Sequence, residues 1–414
     1  MAWFRYFASL VFACALAACV QTQAPTAPPE THSRHARDLV ILVSIDGFRA
    51  DYLQRGNTPT LAALAAGGVQ AAMRPSFPSV TFPNHYTLVT GLRPDHNGMI
   101  NNRMEDPERP GVIFTLPDRT VAADPIWWAD GTPIWVTAER QGVLSGTMFW
   151  PGSDYELHGV RPHQWRAFDQ TMPGFARVDT LLSWLDLPVA ERPVFYTLYF
   201  DLVDTAGHRY GPDALETNAA AAEVDSAIAR LLEGLRARGL AEHANLVIVA
   251  DHGMSAIADD RVIDLGLGAD VARVIWDGPF AGVAPMTGHE AETEAALLGR
   301  REHGECWRKG ALPERFHFGA HRRVPAIICL ANRGWRYRST QLTQYPGPNR
   351  GAHGYDPADP EMAALFIANG PAFRAGVELE PFDNVSVYPL LAHLIGVAPE
   401  PNDGALADTA AGLR

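Results

Sequence analysis

Acidic and histidine side chains recur directly after apolar runs in this sequence of 414 residues. Asp46 and Gly47 follow VILVSI, DLVDTAGHRYGP follows FYTLYF, and Asp251, His252 and Gly253 follow NLVIVA; GAHGYDP carries another histidine. The side chains that could act together are Asp46, Asp204, His208, Asp251, His252 and His353. A single aspartate after a strand is more often a turn or cap residue. The recurrence of carboxylates and imidazoles, both ligands of borderline divalent metals, indicates a metal site.

A hydroxyl group of interest lies in SVTFPNHYTLVTG, residues 79–91. Pro83 near the first turn and Gly91 after the last predict a helix. Thr81 then has two interpretations: a helix cap, or a nucleophile held where backbone N–H groups and the helix dipole favour negative charge. With its oxygen added, the ligands suffice for two divalent ions, whose charge would match three carboxylates and a threonine alkoxide.

Four further histidines lack a carboxylate neighbour at the end of a strand. They are His85, His96, His317 and His321. We expect structural or exposed roles for them, with His85 in FPNHY also a candidate for supporting the site from behind.

The elements that must position these side chains alternate between β-rich runs and helical patterns, which predicts a sheet with parallel strands and helices on both faces. Strands are expected at 38–45, 194–200, 245–250 and 363–368, and helices at 58–68 and from 215. Ligands of such sheets bind beyond the carboxyl ends of the strands. Gly207 between Asp204 and His208 favours a loop there, although their spacing also suits one helix face.

Residues 255–350 mix glycine, proline and charge with short apolar runs, and we interpret them as a less regular cap insertion on the main sheet. Cys306 and Cys329 lie in this segment and are the only cysteines beyond residue 19. In an oxidising compartment they would pair; the alternative is two buried thiols.

The N-terminus has the pattern of an export signal over residues 1–18, with Arg5 ahead of an apolar run too short to span a membrane. LAAC, ending at Cys19, resembles the bacterial lipobox, although an uncleaved signal or a plain signal peptidase site is an alternative. Residues 19–37 would form a flexible tether rich in proline and threonine. We therefore expect a periplasmic protein, membrane-anchored through lipid at Cys19 only.

The formal net charge of −13 argues against a nucleic-acid polymer as partner, because such binding needs basic patches. Small anionic substrates are compatible with this net negative charge if metals or helix termini supply local positive charge.

Five stretches occur in the order typical of one enzyme family: SIDGFRADYL, PSVTFPNHYTLVTGLRPDHNGMINN, DLVDTAGHRYGP, VADHGM and GAHGYDP. On these motifs the sequence resembles the nucleotide pyrophosphatase/phosphodiesterase family of the alkaline phosphatase superfamily. The resemblance covers residues 38–398 as a catalytic domain and leaves 399–414 as a C-terminal tail. It implies an α/β fold, an alkaline-phosphatase-like three-layer α/β/α sandwich with a mostly parallel central sheet and a cap insertion.

Carried over residue by residue, the resemblance implies a two-zinc hydrolase in which Thr81 forms a covalent phosphothreonine ester that water then hydrolyses. One zinc ion would be held by Asp46, Thr81, Asp251 and His252. The other would be held by Asp204, His208 and His353. Asn102, at the end of NGMINN, matches the family's side-chain amide that hydrogen-bonds a phosphoryl oxygen.

Phe82, directly after Thr81, resembles the nucleobase platform of the family, and Trp165 or Phe168 in RPHQWRAFD could form the opposite wall. The alternative is that these aromatic side chains pack in the core. The expected substrates are nucleotide diesters and dinucleoside or nucleoside polyphosphates, cleaved to nucleoside 5′-monophosphates. Three other functions stay open at this point: a phosphomonoesterase, a phospholipid-headgroup diesterase, and a metal-dependent binding lipoprotein without turnover.

Overall fold

The computed structural model describes residues 38–115, 117–343 and 347–414. The expected signal segment, the tether and the lipid-anchor residue Cys19 lie outside these residues. In the part of the chain that is described, no helix is both long and apolar enough to cross a membrane.

The described strands, in chain order, are β1 Leu39–Ile45, β2 Val69–Arg74, β3 Arg103–Glu105, β4 Ile113–Thr115, β5 Ser145–Met148, β6 Gln164–Trp165, β7 Phe195–Phe200, β8 Ala244–Val249, β9 Ser255–Ala256, β10 Val262–Asp264, β11 Ala272–Trp276, β12 Phe280–Pro285, β13 Gly299–Arg301, β14 Gly304–Arg308, β15 Ile327–Ala331, β16 Arg336–Arg338, β17 Gly351–Ala352, β18 Ala364–Asn369, β19 Val377–Glu378 and β20 Phe382–Asp383. The α-helices are α1 Pro59–Ala66, α2 Thr81–Thr90, α3 Pro94–Asn97, α4 Arg119–Ala122, α5 Ile134–Arg140, α6 Gly174–Leu185, α7 Leu202–Tyr210, α8 Leu215–Ala237, α9 Glu290–Leu297, α10 Val387–Ile395 and α11 Ala407–Ala410.

The main sheet is built around β1, whose residues are all buried because LVILVSI has apolar side chains on both faces. The strand order is β19-β2-β18-β8-β1-β7-β5-β6, with β20 beside β2. β1 pairs in parallel with both β7 and β8, whereas β18 runs antiparallel to its neighbours. Helices α1, α6 and α8 pack as one group and α2, α5 and α10 as another, and both groups contact the sheet. These contacts confirm the predicted three-layer, mostly parallel α/β fold.

The segment 255–350 is more regular than its sequence pattern indicates. It contains a five-stranded antiparallel sheet in the order β11-β12-β15-β14-β13, with its own buried apolar cluster. The sequence shows these strands weakly because they are short, and in GECWR of β14 buried and more exposed residues alternate. Cys306 on β14 and Cys329 on β15 are cross-strand neighbours and form a disulfide, which confirms the expected pairing.

Residues 399–414, which the resemblance leaves as a C-terminal tail, make polar contacts with the preceding domain. The Asp403 carboxylate accepts a hydrogen bond from the Arg93 backbone N–H at 2.8 Å. At the end of the chain, the Arg414 guanidinium donates to the Phe373 carbonyl oxygen at 2.7 Å. The packed domain therefore extends to Arg414, because these specific polar contacts hold a segment that has little apolar periodicity.

Candidate active site

The carboxyl edge of the main sheet collects the side chains that the motifs single out. Asp46 comes directly after β1, and Asp251 follows β8 by two residues. Helix α7, which carries Asp204 and His208, begins just after β7. Because β7 and β8 flank β1 in parallel, these three segments meet at one edge.

Asp204 and His208 lie on helix α7, so the expected loop at this position is wrong. Gly207 lies inside the helix close to Met254: a Cβ atom at this position would be 3.0 Å from Cε of Met254. The i,i+4 spacing places the two side chains on one face, with Nε2 of His208 at 3.5 Å from Oδ1 of Asp204.

Four of the predicted residues are here called the first ligand set, and three of them surround Nε2 of the fourth, His252. They are Asp46, Thr81, Asp251 and His252. The nitrogen lies 3.0 Å from Oδ2 of Asp251, 3.7 Å from Oδ1 of Asp46 and 3.3 Å from Oγ1 of Thr81. The arrangement offers three oxygen atoms and one nitrogen atom, a donor set suited to zinc.

The second ligand set consists of Asp204, His208 and His353. Nε2 of His353 lies 3.7 Å from Oδ1 of Asp204 and 3.1 Å from Nε2 of His208. The imidazole of His353 also stacks on that of His252, with ring centroids 3.6 Å apart, so the two sets adjoin.

Backbone carbonyl groups orient all three ligand imidazoles. Nδ1 of His208 donates to the Gly351 oxygen at 2.8 Å, Nδ1 of His353 to the Ser79 oxygen at 2.9 Å, and Nδ1 of His252 to the Gly253 oxygen at 2.9 Å. Because a carbonyl oxygen only accepts, the Nδ1 atoms carry protons, which leaves Nε2 as the atom of each ring that can face a metal ion. Nε2 of His208 and Nε2 of His353 lie 3.1 Å apart, close enough to contact the same cation.

The carboxylates also have atoms that are available to bind a cation. Three of their buried oxygen atoms accept no hydrogen bond among the described residues: Oδ1 of Asp46, Oδ1 of Asp204 and Oδ2 of Asp251. Buried unpaired carboxylate oxygens carry a large desolvation cost that a bound metal ion removes. The Gly47 backbone N–H donates to the other oxygen of Asp251 at 3.1 Å, which leaves Oδ2 to face the site.

The concentration of charge also shifts the ionisation of these groups. Burial and the neighbouring carboxylates of Asp251 and Asp204 raise the pKa of Asp46 well above its usual range. Burial alone would raise the pKa of Asp251, but the imidazoles of His252 and His85 hold it well below its usual range. Burial and two neighbouring imidazoles hold the pKa of His353 well below its usual range. Such opposed shifts within one cluster are typical of functional sites.

Thr81 is the first residue of α2, and the preceding Val80 occupies the cap position without a side-chain cap. The helix-cap interpretation of Thr81 is therefore wrong: its hydroxyl instead lies 3.3 Å from Nε2 of His252. The next backbone N–H, that of Phe82, donates to Oδ1 of Asn102 at 2.8 Å. Since the amide oxygen of Asn102 is held in this way, its NH₂ group is the part that can donate to an oxyanion beside the Thr81 hydroxyl.

His85 lies behind the first ligand set, in the supporting role that its position in FPNHY allows. Its Nδ1 donates to the Thr81 carbonyl oxygen at 2.9 Å, and its Nε2 lies 2.8 Å from the Ser44 hydroxyl. Asp46, His85 and Asp251 are close enough to share a metal ion, but both ring nitrogens of His85 are already engaged. The other three histidines lie outside both ligand sets: His96 pairs with Asp403, His321 with Asp130, and His317 ends a short 3₁₀ turn.

The predicted aromatic residues occupy different surroundings. Phe82 is half-buried, with its ring centroid 6.0 Å from that of Phe114 and 6.1 Å from that of Trp128. Phe168 is 41% exposed and lies edge-on to Tyr199 at 5.9 Å, close to the first ligand set. Trp165 is 37% exposed, and its ring is covered by the Arg161 guanidinium at 4.6 Å.

A sequence model of the Type I phosphodiesterase/nucleotide pyrophosphatase family matches residues 40–356. The chain belongs to this family. Its membership places the protein among the phosphodiesterase and pyrophosphatase hydrolases of the alkaline phosphatase superfamily and confirms the resemblance seen in the five motifs.

Relatives support the same family. The chain is 38% identical over 383 residues to an uncharacterised pyrophosphatase/phosphodiesterase of Schizosaccharomyces pombe, covering 88% of this chain and 78% of the relative. It is 39% identical over 381 residues to ectonucleotide pyrophosphatase/phosphodiesterase family member 3 of Bos taurus, covering 88% of this chain and 43% of the relative. The chain thus spans less than half the length of the mammalian relatives that it matches.

Solved structures of the family share the fold. Murine ectonucleotide pyrophosphatase/phosphodiesterase 5, as an inactive threonine-to-alanine variant in complex with AMP, has a TM-score of 0.86 and 31% identity over 91% of this chain and 100% of its own. The human form has a TM-score of 0.86 and 32% identity over the same shares of the two chains. The alkaline-phosphatase-like architecture expected from the sequence is therefore confirmed.

Proposed function

We propose that this protein is a two-zinc enzyme that hydrolyses nucleotide phosphodiester and pyrophosphate bonds through a phosphothreonine intermediate and releases nucleoside 5′-monophosphates. The observation that carries the proposal is the position of Thr81. Its hydroxyl lies at the start of α2, 3.3 Å from Nε2 of His252, inside a cluster of carboxylates with unpaired buried oxygens.

The two ligand sets would each hold one zinc ion. When bound, the ions supply Lewis-acid stabilisation for negative charge on the phosphoryl group and on the leaving oxygen. The chain itself contributes ligand orientation, because backbone groups fix the three imidazoles and Asp251 before any ion arrives.

The reaction would proceed in two displacements at phosphorus. Oγ1 of Thr81 forms a bond to phosphorus as its proton passes to solvent water, and the bond from phosphorus to the leaving-group oxygen breaks with its electron pair staying on that oxygen. The amide NH₂ of Asn102 donates to a non-bridging oxygen during this step. Water then attacks the phosphothreonine from the opposite side, which restores the Thr81 hydroxyl and releases the nucleoside 5′-monophosphate.

The substrate assignment is supported by the aromatic surface beside the nucleophile. Phe82 offers a half-buried ring one residue from Thr81, and stacking of a base on such a ring contributes about 1–3 kcal/mol. Phe168 lies on the Tyr199 side of the site and is the better placed of the two candidates for the opposite wall; Trp165 is stacked by Arg161. The murine structural relative is described with AMP, which is the class of product expected here. Small nucleotide diesters and dinucleoside or nucleoside polyphosphates are therefore the proposed substrates, rather than nucleic-acid polymers.

One assay tests the function directly. The activity of purified, zinc-loaded protein is measured on three substrates: the p-nitrophenyl ester of a nucleoside 5′-monophosphate, p-nitrophenyl phosphate and a phosphocholine ester. We expect a higher kcat/KM on the nucleotide diester, loss of turnover after chelation, and recovery on adding zinc. Faster hydrolysis of the monoester would favour a phosphomonoesterase, and a preference for phosphocholine esters would favour a headgroup diesterase. Turnover on none of these esters would favour a binding lipoprotein.

We further propose that the protein is exported to the periplasm and anchored through lipid on Cys19. The proposal rests on LAAC and on the tether that follows, and a disulfide between Cys306 and Cys329 suits an oxidising compartment. Replacing Cys19 with Ala should release catalytically active protein from the membrane fraction. An unmodified protein that is already found in the soluble fraction, with its N-terminus near residue 20, would contradict the anchor.

A further inference from the structure

Tyr199 is a buried side chain of β7 that none of the motif arguments uses. Its hydroxyl donates to Oδ2 of Asp46 at 2.6 Å. When Asp46 is ionised to bind a cation, its carboxylate only accepts, so the Tyr199 hydroxyl is the donor in that state. With Oδ2 engaged in this way, Oδ1 of Asp46 is the oxygen that faces Nε2 of His252 at 3.7 Å.

The register of the sheet explains how the two side chains meet. Tyr199 on β7 is the direct cross-strand partner of Ser44 on β1, and Asp46 lies two residues beyond Ser44. Residues two apart along a strand face the same side, and diagonal neighbours lie within reach of an aromatic side chain. The Tyr199 hydroxyl therefore arrives at Asp46 from the adjacent strand.

Two rings hold the phenol ring of Tyr199 in place. The ring centroid of His85 lies 5.2 Å from that of Tyr199, in an edge-on contact. The ring centroid of Phe168 lies 5.9 Å from that of Tyr199. These contacts involve the ring and not the hydroxyl, so a phenylalanine at this position would keep them. The hydroxyl can thus be removed without disturbing the packing around it.

The two carboxylates of the first ligand set are oriented by different kinds of donor. A backbone N–H, that of Gly47, holds Asp251, whereas the side chain of Tyr199 holds Asp46. We propose that Tyr199 is a positioning residue that holds Asp46 in its ligand orientation and so sets the affinity of the first ligand set for its cation. This inference rests on the proposed function, because it requires that the set binds a metal ion.

The experiment compares zinc binding by the wild type and by Tyr199→Phe, using competition with a chromophoric chelator after the protein has been stripped of metal. Removal of groups that orient metal ligands typically weakens binding 10–100-fold. We expect Tyr199→Phe to bind one of its two zinc ions about 10–100-fold more weakly, with the other unchanged. Raising free zinc should restore most of kcat, with KM for the nucleotide ester little changed.

Tyr196→Phe is the matched control. Tyr196 lies on the same strand and is fully buried, and its hydroxyl has no hydrogen-bond partner in the described part of the chain. This variant removes the same atom from β7 without touching a ligand. We expect wild-type zinc affinities and wild-type kcat for it.

Several results would overturn the inference. Two zinc affinities equal to those of the wild type in Tyr199→Phe would show that the hydroxyl does not set binding. Equal weakening of both ions, or unfolding of the metal-free Tyr199→Phe protein where Tyr196→Phe stays folded, would assign the hydroxyl to general stability. A wild type that binds no zinc would instead refute the metal part of the proposed function, so the two failures are distinguishable.

Discussion

The two ligand sets differ in depth. In the first set the side chains of Asp251 and His252 are fully buried and that of Asp46 is 3% exposed. In the second set, the side chain of His208 is 37% exposed, that of Asp204 18% and that of His353 9%. The second set is therefore more exposed than the first, mainly through His208.

The difference follows from the elements that supply the ligands. Asp46 and Asp251 follow two adjacent central strands, so the sheet itself shields them. Asp204 and His208 come from helix α7, which also carries the exposed residues Thr205, Arg209 and Tyr210. A buried carboxylate without its partner has a higher free-energy cost than an exposed one. We therefore expect the first set to retain its cation more strongly and the second set to exchange its cation with solvent more readily.

The largest expected effect concerns the hydroxyl of the first set. Thr81→Ala should lower kcat on every substrate by at least about 1,000-fold, because Thr81 carries the only hydroxyl among the seven described residues of the two ligand sets. Thr81→Ser keeps an oxygen nucleophile and should retain measurable turnover with the same substrate preference. Steady-state kinetics on a nucleotide ester measures both. Substantial turnover by Thr81→Ala would remove the phosphothreonine intermediate from the mechanism.

Metal removal tests the difference in depth itself. On incubation with a chelator we expect the zinc content to fall in two phases, with the ion of the second set leaving first. His208→Ala should accelerate only the fast phase, because His208 belongs to the exposed set. Elemental analysis of zinc against time provides the measurement. A single phase in which both ions leave together would show that depth does not separate the two sets.

A smaller effect is expected at the aromatic surface beside the first set. Phe82→Ala should lower kcat/KM for nucleotide diesters by about 5–150-fold, the equivalent of losing a base stack of about 1–3 kcal/mol. A diester without a base should be affected less. Phe168→Ala should behave similarly if it forms the opposite wall, and Trp165→Ala serves as the comparison. Equal losses with and without a base would contradict the stacking role of Phe82.

The smallest effect concerns pH and the imidazole that joins the sets. The folded state holds the pKa of His353 well below 6.5, so the unfolded chain takes up a proton there that the folded chain does not. The contribution of this histidine to stability is therefore present above about pH 6.5 and is lost as the pH falls toward the folded-state pKa. In chelator-treated protein, the free energy of unfolding measured with urea should decline less between about pH 7.5 and 5.5 for His353→Gln than for the wild type. Identical pH dependence would mean that His353 is not held neutral.

Much of this site could be predicted from local sequence. The near-continuous apolar runs of β1, β7 and β8 identify buried strands, and the parallel arrangement brings their carboxyl ends together. Asp46 and Asp251 follow from that rule alone. The antiparallel sheet between residues 255 and 350 is not evident from the sequence, because its strands are short and only some of them, such as β15, are buried throughout, whereas β13 is exposed.

Other features of the site depend on contacts between residues far apart in the chain, which local sequence patterns do not contain. Helix α7 forms despite Gly207, which lies close to Met254 in the folded chain, a contact that the local sequence does not show. Tyr199 meets Asp46 only through the register between β7 and β1, which no spacing along the chain encodes. Sequence by itself determined which ligands reach the edge of the sheet, because their positions follow from strand direction. Which oxygen or nitrogen of each ligand faces the cation was decided by hydrogen bonds from residues up to hundreds of positions away, since only the folded chain brings those donors and acceptors into contact.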